Sequence, residues 1–386
     1  MKILYTTGKY SPLKHDDGSG TDYRLFHAIK DQGVDLYYIG PFRDVPSFPE
    51  KIYRKIHALF SSKKPAKYSA AMLREGSNVL RDAVENLKPD AIFSKNLVCM
   101  VQYRTSLPFV YMVDSTVAAF NRDWPTFSRF ENWRMILWER KVVRQSTRII
   151  TRSEWTKASL VNDYGYPEQK IHIVYNASSL PSEVVPEKPV FNEVDFSTVR
   201  LLFVGRVQNL KGIDIAIEVT NQLNNAGTNA ELRVVGSAGI DQPHIHYTGL
   251  YLKSIPEQLQ EYASQYLWAH FLIHPARYDA APIVTAEAAG FGVPTLTNAV
   301  GGIASTVKDN VSGVVLPAGS PATEYVKVIH NYVDNPEKYL ALRRSTRERY
   351  EQELNWDVAG AKVVDVIRQA IEEKKSAGVK SNEGLR

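Results

Sequence analysis

The sequence predicts an α/β protein built as two Rossmann-like, doubly wound domains facing each other across a cleft. Three observations carry that prediction. Short apolar runs alternate with longer runs of helical period along the chain, the pattern of a parallel sheet covered by helices. The alternation breaks once, at the Pro-, Glu- and Ser-rich stretch 177–199, and then restarts. The chain has 386 residues, enough for two or three domains at roughly 150 residues each.

Composition narrows the class further. At 44% hydrophobic and 23% charged, the chain is ordinary for a globular protein. Its single cysteine, Cys99, excludes an intramolecular disulfide and fits a reducing compartment. The opening MKILYTTGKY turns polar too soon after Leu4 for a secretory signal and reads as a first strand. No apolar run approaches the roughly 18 residues of a membrane span, so a cytoplasmic location is expected, with the inner face of a membrane left open. A net charge of +5 suits an anionic ligand or surface without demanding one. Nucleic-acid binding is not expected, because the excess is small and no recognition motif is present.

The elements follow in order. KILYTT, residues 2–7, is the first strand; the loop DDGSGT leads into a helix carrying Leu25, Phe26 and Ile29, and VDLYYIG is the second strand. DAIFSK, PFVYMVD, TRIITRS and KIHIVYN are further strands that complete a first domain over residues 1–180. Residues 181–199 show no periodicity and read as a linker. A second domain, 200–358, opens with the strand RLLFVGR, the helix GIDIAIEVTNQLNNAG, the strand AELRVVGSAG and the helix SIPEQLQEYASQ. AHFLIHP and PTLTNAV read as buried strands. A last helix over about 359–374 is expected to pack back on the first domain, and the polar tail 375–386 to be disordered.

Two stretches carry chemistry. In FVGRVQNLKG, a strand ends at Gly205 with Arg206 at its carboxyl end, and Lys211 follows just before a helix. Open α/β sheets bind ligands beyond the carboxyl ends of their strands. An Arg fork and a Lys point charge there can grip a diphosphate; two solvated loop cations are the plainer alternative. In ARYDAAPIVTAEAAGFGVPTLTNAVGG, a helix starts near Pro282, since proline suits a first helical turn. Free N–H groups and the dipole make that helix start an anion site. Asp279 precedes the helix and Glu287 lies within it, eight residues on. Carboxylates accept from sugar hydroxyls, so the ligand that fits is sugar–phosphate–phosphate–ribose, with an acid at each end. The alternative makes Asp279 a helix cap and Glu287 solvent-exposed.

With these residues in hand, the chain resembles the retaining glycosyltransferases of family 4, a group 1 family with the GT-B fold, over roughly residues 1 to 370. LLFVGRVQNLKGIDIAIE is similar to the family's Gly-Arg…Lys-Gly stretch. IHPARYDAAPIVTAEAAGFGVPTLTNAVGGI is similar to its pair of acids, Gly-x-Pro strand and Gly-Gly loop. TRIITRSEWTKASLVNDYGYPEQKIHIVYNA resembles the end of its N-terminal domain, and LRVVGSAG with HYTGLY its strand and Gly turn beside the nucleotide base.

The resemblance implies roles. Arg206 and Lys211 would bind the donor diphosphate, Glu287 the ribose hydroxyls and Asp279 the hydroxyls of the donor sugar. Backbone N–H groups near Ala281, Ile283 and Val284 would touch the distal phosphate, and Gly249–Leu250 would lie beside the base. Gly18 and Gly20, opening the first helix, would approach the phosphate or sugar from the other domain. The implied reaction moves a sugar from a nucleotide diphosphate sugar, UDP-linked before GDP- or dTDP-linked, to an acceptor hydroxyl on a glycan, glycolipid or small molecule. It would proceed with retention, without a metal or other cofactor, by same-face attack assisted by the leaving phosphate. The resemblance also makes polysaccharide biosynthesis an expected setting.

Three departures from the family pattern stand out. Asp279 stands where the first acid is usually Glu. Ala280–Ala281–Pro282 replaces Gly-Phe-Gly, and Pro282 offers no N–H. Asp114 ends the strand FVYMVD where many relatives have His; it either accepts a substrate hydroxyl or caps the helix beginning STVAAF. Two rival functions are a non-catalytic sugar-nucleotide binder and a hydrolysing sugar-nucleotide epimerase of the same fold. The histidines show no metal-like spacing, so no metal is expected. Finally, Lys51–Arg74 holds seven Lys or Arg and no acid, interleaved with Ile52, Tyr53, Ile56, Leu59 and Phe60. It reads either as a peripheral contact with an anionic membrane or as a solvated helix face.

Overall fold

The computed structural model describes residues 1–383 apart from 16, 18, 19, 61, 62, 64, 66, 67 and 188, with side chains except those of 60, 208 and 378–383. The chain divides into two compact units, Met1–Val174 with Ala359–Arg386, and Tyr175–Val358.

The first unit is built on β1 (Lys2–Thr6), β2 (Asp35–Ile39), β3 (Ala91–Ser94), β4 (Phe109–Val113), β5 (Arg148–Thr151) and β6 (Ile171–Ile173). They form one parallel sheet in the order β2-β1-β3-β4-β5-β6. Strands β3 and β4 are buried at every position, because helices cover both faces of a parallel sheet and leave no solvated side. The helices are α1 (Thr21–Lys30), α2 (Phe48–Phe60), α3 (Ala70–Leu87), α4 (Val117–Asp123), α5 (Arg129–Gln145) and α6 (Glu154–Asn162). Four start at a hydroxyl cap: Ser69, Thr116, Ser128 and Ser153 each accept from an N–H three residues on. Helix α3 buries Met72, Leu73, Gly76 and Leu80 at helical spacing against the sheet.

Glu139 of α5 is buried, and its carboxylate accepts from Val117 N at 2.8 Å and from the Tyr164 hydroxyl. Burial without a cation pushes its carboxyl up to about 7, against the pull of those two donors. Its folded pKa therefore lies above the unfolded one, so folding takes up a proton and stability falls as pH rises from about 4.5 to about 7. A displacement of that size is worth about 3 kcal/mol. Glu139→Gln keeps an acceptor and loses the charge. Thermal melts should show the variant gaining on wild type between pH 5 and pH 8; a constant difference across that range would refute this account.

The second unit contains β7 (Val199–Val204), β8 (Ala230–Val235), β9 (Ile245–Gly249), β10 (Phe271–His274), β11 (Thr295–Asn298) and β12 (Gly313–Leu316). Their parallel sheet runs β12-β11-β10-β7-β8-β9. Helices α7 (Gln208–Lys211), α8 (Ile213–Asn225), α9 (Pro256–Trp268), α10 (Ile283–Gly290), α11 (Ile303–Thr306), α12 (Ala322–Val333) and α13 (Pro336–Glu353) complete it. Its core joins Leu201, Phe203, Val219, Leu232, Phe271 and Tyr325. The strand order reverses between β7 and β10, and the carboxyl ends at such a reversal are the place where doubly wound sheets hold ligands.

Two expectations are corrected. The stretch 181–199 is not free linker: Val185 and Phe191 are buried in the second unit's clusters, and β7 already begins at Val199. Its isolated apolar residues have no period to read, yet Val185 and Phe191 each find a core site, while Val190 stays exposed. The last helix, α14, runs over Trp356–Glu383, well past the start of the tail expected to be disordered. Lys, Glu and Ala favour helix well enough to continue one already docked. Within the first unit, a side chain at Gly360 would meet the Ala28 carbonyl at 2.4 Å, and Glu373 pairs with Lys170 and, at 3.3 Å, with Arg148.

Candidate active site

The candidate site in the second unit is assembled from the carboxyl ends of β7 and β10. After β7, Arg206 is exposed. Lys211 closes the single turn of α7 and pairs through Nζ with Asp279 Oδ2. Gly212 then has φ 75°, and a Cβ there would lie 2.0 Å from the Pro275 carbonyl oxygen. That contact packs the Lys211 turn directly on the segment that leaves β10, and only glycine permits it.

Asp279 sits in that segment. His274, the last residue of β10, is buried and places Nε2 3.3 Å from Asp279 Oδ2. Burial works to raise the Asp279 carboxyl, but His274 and the Lys211 ammonium outweigh it and hold it at about 2. Burial keeps the His274 imidazole below its ordinary range, hence neutral at pH 7. Gly302 N donates to the Asp279 carbonyl at 2.9 Å, and Gly301, at φ 54°, lies so close that a Cβ would meet that oxygen at 2.2 Å. The Gly-Gly loop therefore fixes the Asp279 backbone. Asp279 is not the cap of α10: the N-cap is Pro282, no side chain caps the helix, and Asp279 Oδ1 accepts from Ala281 N at 3.3 Å. The N–H groups of Ile283 and Val284 thus lack a side-chain cap, on residues that are partly exposed.

Glu287 is not the solvent-exposed helix residue of the plainer reading: it is 0% exposed, and its carboxylate accepts from four neighbouring groups. Oε1 accepts from Lys253 Nζ at 2.6 Å and from the Ser179 hydroxyl; Oε2 accepts from Tyr262 at 2.6 Å and Tyr266 at 2.7 Å. Burial would raise its carboxyl, and the Lys253 ammonium with Ser179 and Tyr262 holds it below the usual range. Lys253 is the partly exposed member, and it also lies 4.4 Å over the Tyr262 ring. Direct contact between Glu287 and a ligand requires Lys253 to leave the carboxylate.

Lys253→Met should destabilise the protein by about 3–5 kcal/mol at neutral pH, the cost of a buried charge stripped of its partner. In the variant the folded pKa of Glu287 rises above the unfolded one, so the penalty is absent below the unfolded value and grows as pH rises. Melting temperatures of variant and wild type should converge as pH drops from 7 toward 4. A gap independent of pH would show that the ion pair is not what Lys253 contributes.

Gly249 ends β9 at φ 79° and Leu250 is exposed, so both stand at the carboxyl edge of the same sheet, where Gly236 N donates to the Gly249 carbonyl at 2.7 Å. The remaining predicted residues belong to the first unit. Gly18 lies outside the described residues. Gly20 is the left-handed N-cap of α1, at φ 77°. Asp114, half exposed, lies beyond the carboxyl end of β4, and the buried Arg152 places Nε 3.4 Å from its carboxylate. Asp114 does not cap α4; Thr116 does. Sequence reasoning missed His274, Ser179, Lys253, Tyr262, Tyr266 and Arg152. Tyr262 and Tyr266 share a helix face at i, i+4, and His274 adjoins the acid motif; Lys253 gives no local sign. Among the described residues, no group of three His, Cys, Asp or Glu could hold a metal ion.

Comparison with known proteins agrees with this architecture. The fold matches sucrose-phosphate synthase from Thermosynechococcus elongatus at a TM-score of 0.70, with 14% identity, covering 97% of this chain and 100% of that one. It matches Anabaena HepE, solved in complex with UDP, at 0.66, with 15% identity, covering 96% and 100%. Two Rossmann-like domains with a GT-B fold are the class these likenesses define. The model described as Glycosyltransferase Family 4 matches residues 23–179, and that described as Glycosyl transferases group 1 matches residues 191–349. The chain belongs to this glycosyltransferase family. Among curated relatives, the D-inositol 3-phosphate glycosyltransferase 1 of Catenulispora acidiphila is 28% identical over 261 residues, 61% of this chain and 60% of that protein. The D-inositol 3-phosphate glycosyltransferase of Geodermatophilus obscurus is 23% identical over 335 residues, 82% of this chain and 73% of that protein.

Proposed function

We propose that this protein transfers a glycosyl group from a nucleotide diphosphate sugar to an acceptor hydroxyl, with retention and without a metal. One observation carries the reading: Lys211, Asp279 and His274 converge at the strand-order reversal, beside the uncapped start of α10. In this account, Lys211 and Arg206 hold the diphosphate, and the N–H groups of Ile283 and Val284 take the distal phosphate in place of a capping side chain. Asp279 receives hydroxyls of the donor sugar, while Glu287 with Lys253 faces the ribose. Gly249 and Leu250 border the base. A UDP-linked donor is favoured because the HepE neighbour was solved with UDP.

Charge development sets the mechanism. As the glycosidic bond breaks, negative charge grows on the leaving diphosphate, and fixed cations and N–H groups aimed there lower the barrier without reorganising. The departing phosphate oxygen takes the proton from the acceptor hydroxyl, which attacks the same face. Retention follows because bond breaking and bond making share one face. Two side-chain cations and a helix start supply the electrostatic role that a divalent ion fills elsewhere. The reaction belongs in the cytoplasm, where sugar nucleotides would be available.

The test is transfer from UDP-glucose and related donors in excess EDTA, with the product anomer read by NMR. The donor's own anomeric configuration should be kept and the rate should be insensitive to chelator. An inverted product, or activity abolished by EDTA and restored by Mg²⁺ or Mn²⁺, would overturn the proposal.

A further inference from the structure

We propose that α2 of the first unit is a docking surface for an anionic lipid bilayer. A surface helix normally turns its apolar stripe toward the core; α2 does the reverse. Phe48, Ile52, Ile56 and Leu59, spaced four, four and three apart, share one face and are 76%, 42%, 50% and 79% exposed. No described side chain of α2 is buried. Its polar residues make the attachments instead. Tyr53 donates to Glu131 Oε1 at 2.6 Å, and Arg54 grips Asp44 at 2.7 and 3.1 Å. Glu50 accepts from Ser47 N at 2.7 Å and Ala70 N at 2.8 Å. Rolling the stripe inward would break all of these bonds, so the outward stripe is built into the fold.

Charge identifies what covers the stripe. Lys51 and Lys55 are exposed along one flank of it, and the only acid on the helix, Glu50, is engaged by backbone N–H groups. A second copy of the same face would bring these cations together. An anionic bilayer instead pairs them with headgroups while the stripe enters the acyl boundary. On α5, which Tyr53 ties to α2, Phe130 and Trp133 are two further exposed rings, 6.1 Å apart. Beside Trp133 a cavity of about 600 Å³, bordered by Phe127, Ile136, Lys63 and Arg129, offers aromatic and basic walls to a headgroup. None of these residues belongs to the donor site proposed above.

The test is flotation of the full chain with vesicles of phosphatidylcholine containing phosphatidylglycerol, against phosphatidylcholine alone, at low and high salt. The chain should float with the anionic vesicles only, and salt should release it. Ile56→Ser with Leu59→Ser should abolish flotation. Lys51→Gln and Lys55→Gln should each weaken it about fivefold. These side chains are exposed, so unchanged melting curves are expected. Flotation that ignores lipid charge, no flotation at all, or a dimer broken by Leu59→Ser without vesicle binding would each overturn the proposal.

Discussion

Lys211→Ala is expected to lower kcat/KM for the sugar-nucleotide donor by roughly 10- to 100-fold, the worth of one charge-assisted contact of about 1.5–3 kcal/mol. The loss should fall mainly on kcat, because the ammonium gains most from charge that appears as the diphosphate leaves. A second signature comes from the pair with Asp279. Without Lys211, Asp279 keeps neutral His274 and the Ala281 N–H beside its carboxylate but no cation, so its carboxyl must rise from about 2. Lys211→Ala should therefore cost stability in the wild-type background and much less beside Asp279→Asn. A double-mutant cycle by denaturant unfolding reads that coupling. Near-normal turnover in Lys211→Ala would remove the diphosphate role; additive stability losses would remove the ion pair.

Asp279→Asn and Glu287→Gln should fail differently, since they stand at opposite ends of the proposed donor. Asp279→Asn should weaken a nucleotide sugar by about 10-fold or more and leave the bare nucleoside diphosphate nearly unchanged. Glu287→Gln should weaken both. It should also reduce stability, because Lys253, Ser179, Tyr262 and Tyr266 are all arranged around a carboxylate with two accepting oxygens. Gln replaces one acceptor by a donor and removes the oxygen that two of these donors share. Binding by calorimetry and melting curves separate the two effects. If both variants lost the two ligands equally, the opposite-ends assignment would fail.

The alternating strands were legible because buried parallel strands are near-continuous apolar runs: RLLFVGR and AHFLIHP could be placed from sequence, and the structure centres β7 and β10 on them. Motif spacing likewise located Lys211 and Asp279, whose side chains meet although they are 68 residues apart. What sequence could not show were contacts without a period. Lys253 reaches Glu287 from 34 residues away, and Ser179 from 108. Phe191 has no patterned neighbours, so its segment reads as linker although it fills the second core. Helix α2 has a clear apolar stripe, but the direction it faces depends on Asp44 and Glu131, which hold its polar side. Periodicity reports a face, and only partners decide whether that face turns in or out.

The most direct measurement of the central claim is titration of UDP into the wild-type protein and into Lys211→Ala by calorimetry, in EDTA. Binding by wild type without added metal, weakened about 10-fold or more in the variant, is the predicted result. Equal affinities of both proteins for UDP and for the UDP-sugars tested, or no binding by wild type until Mg²⁺ is supplied, would contradict it.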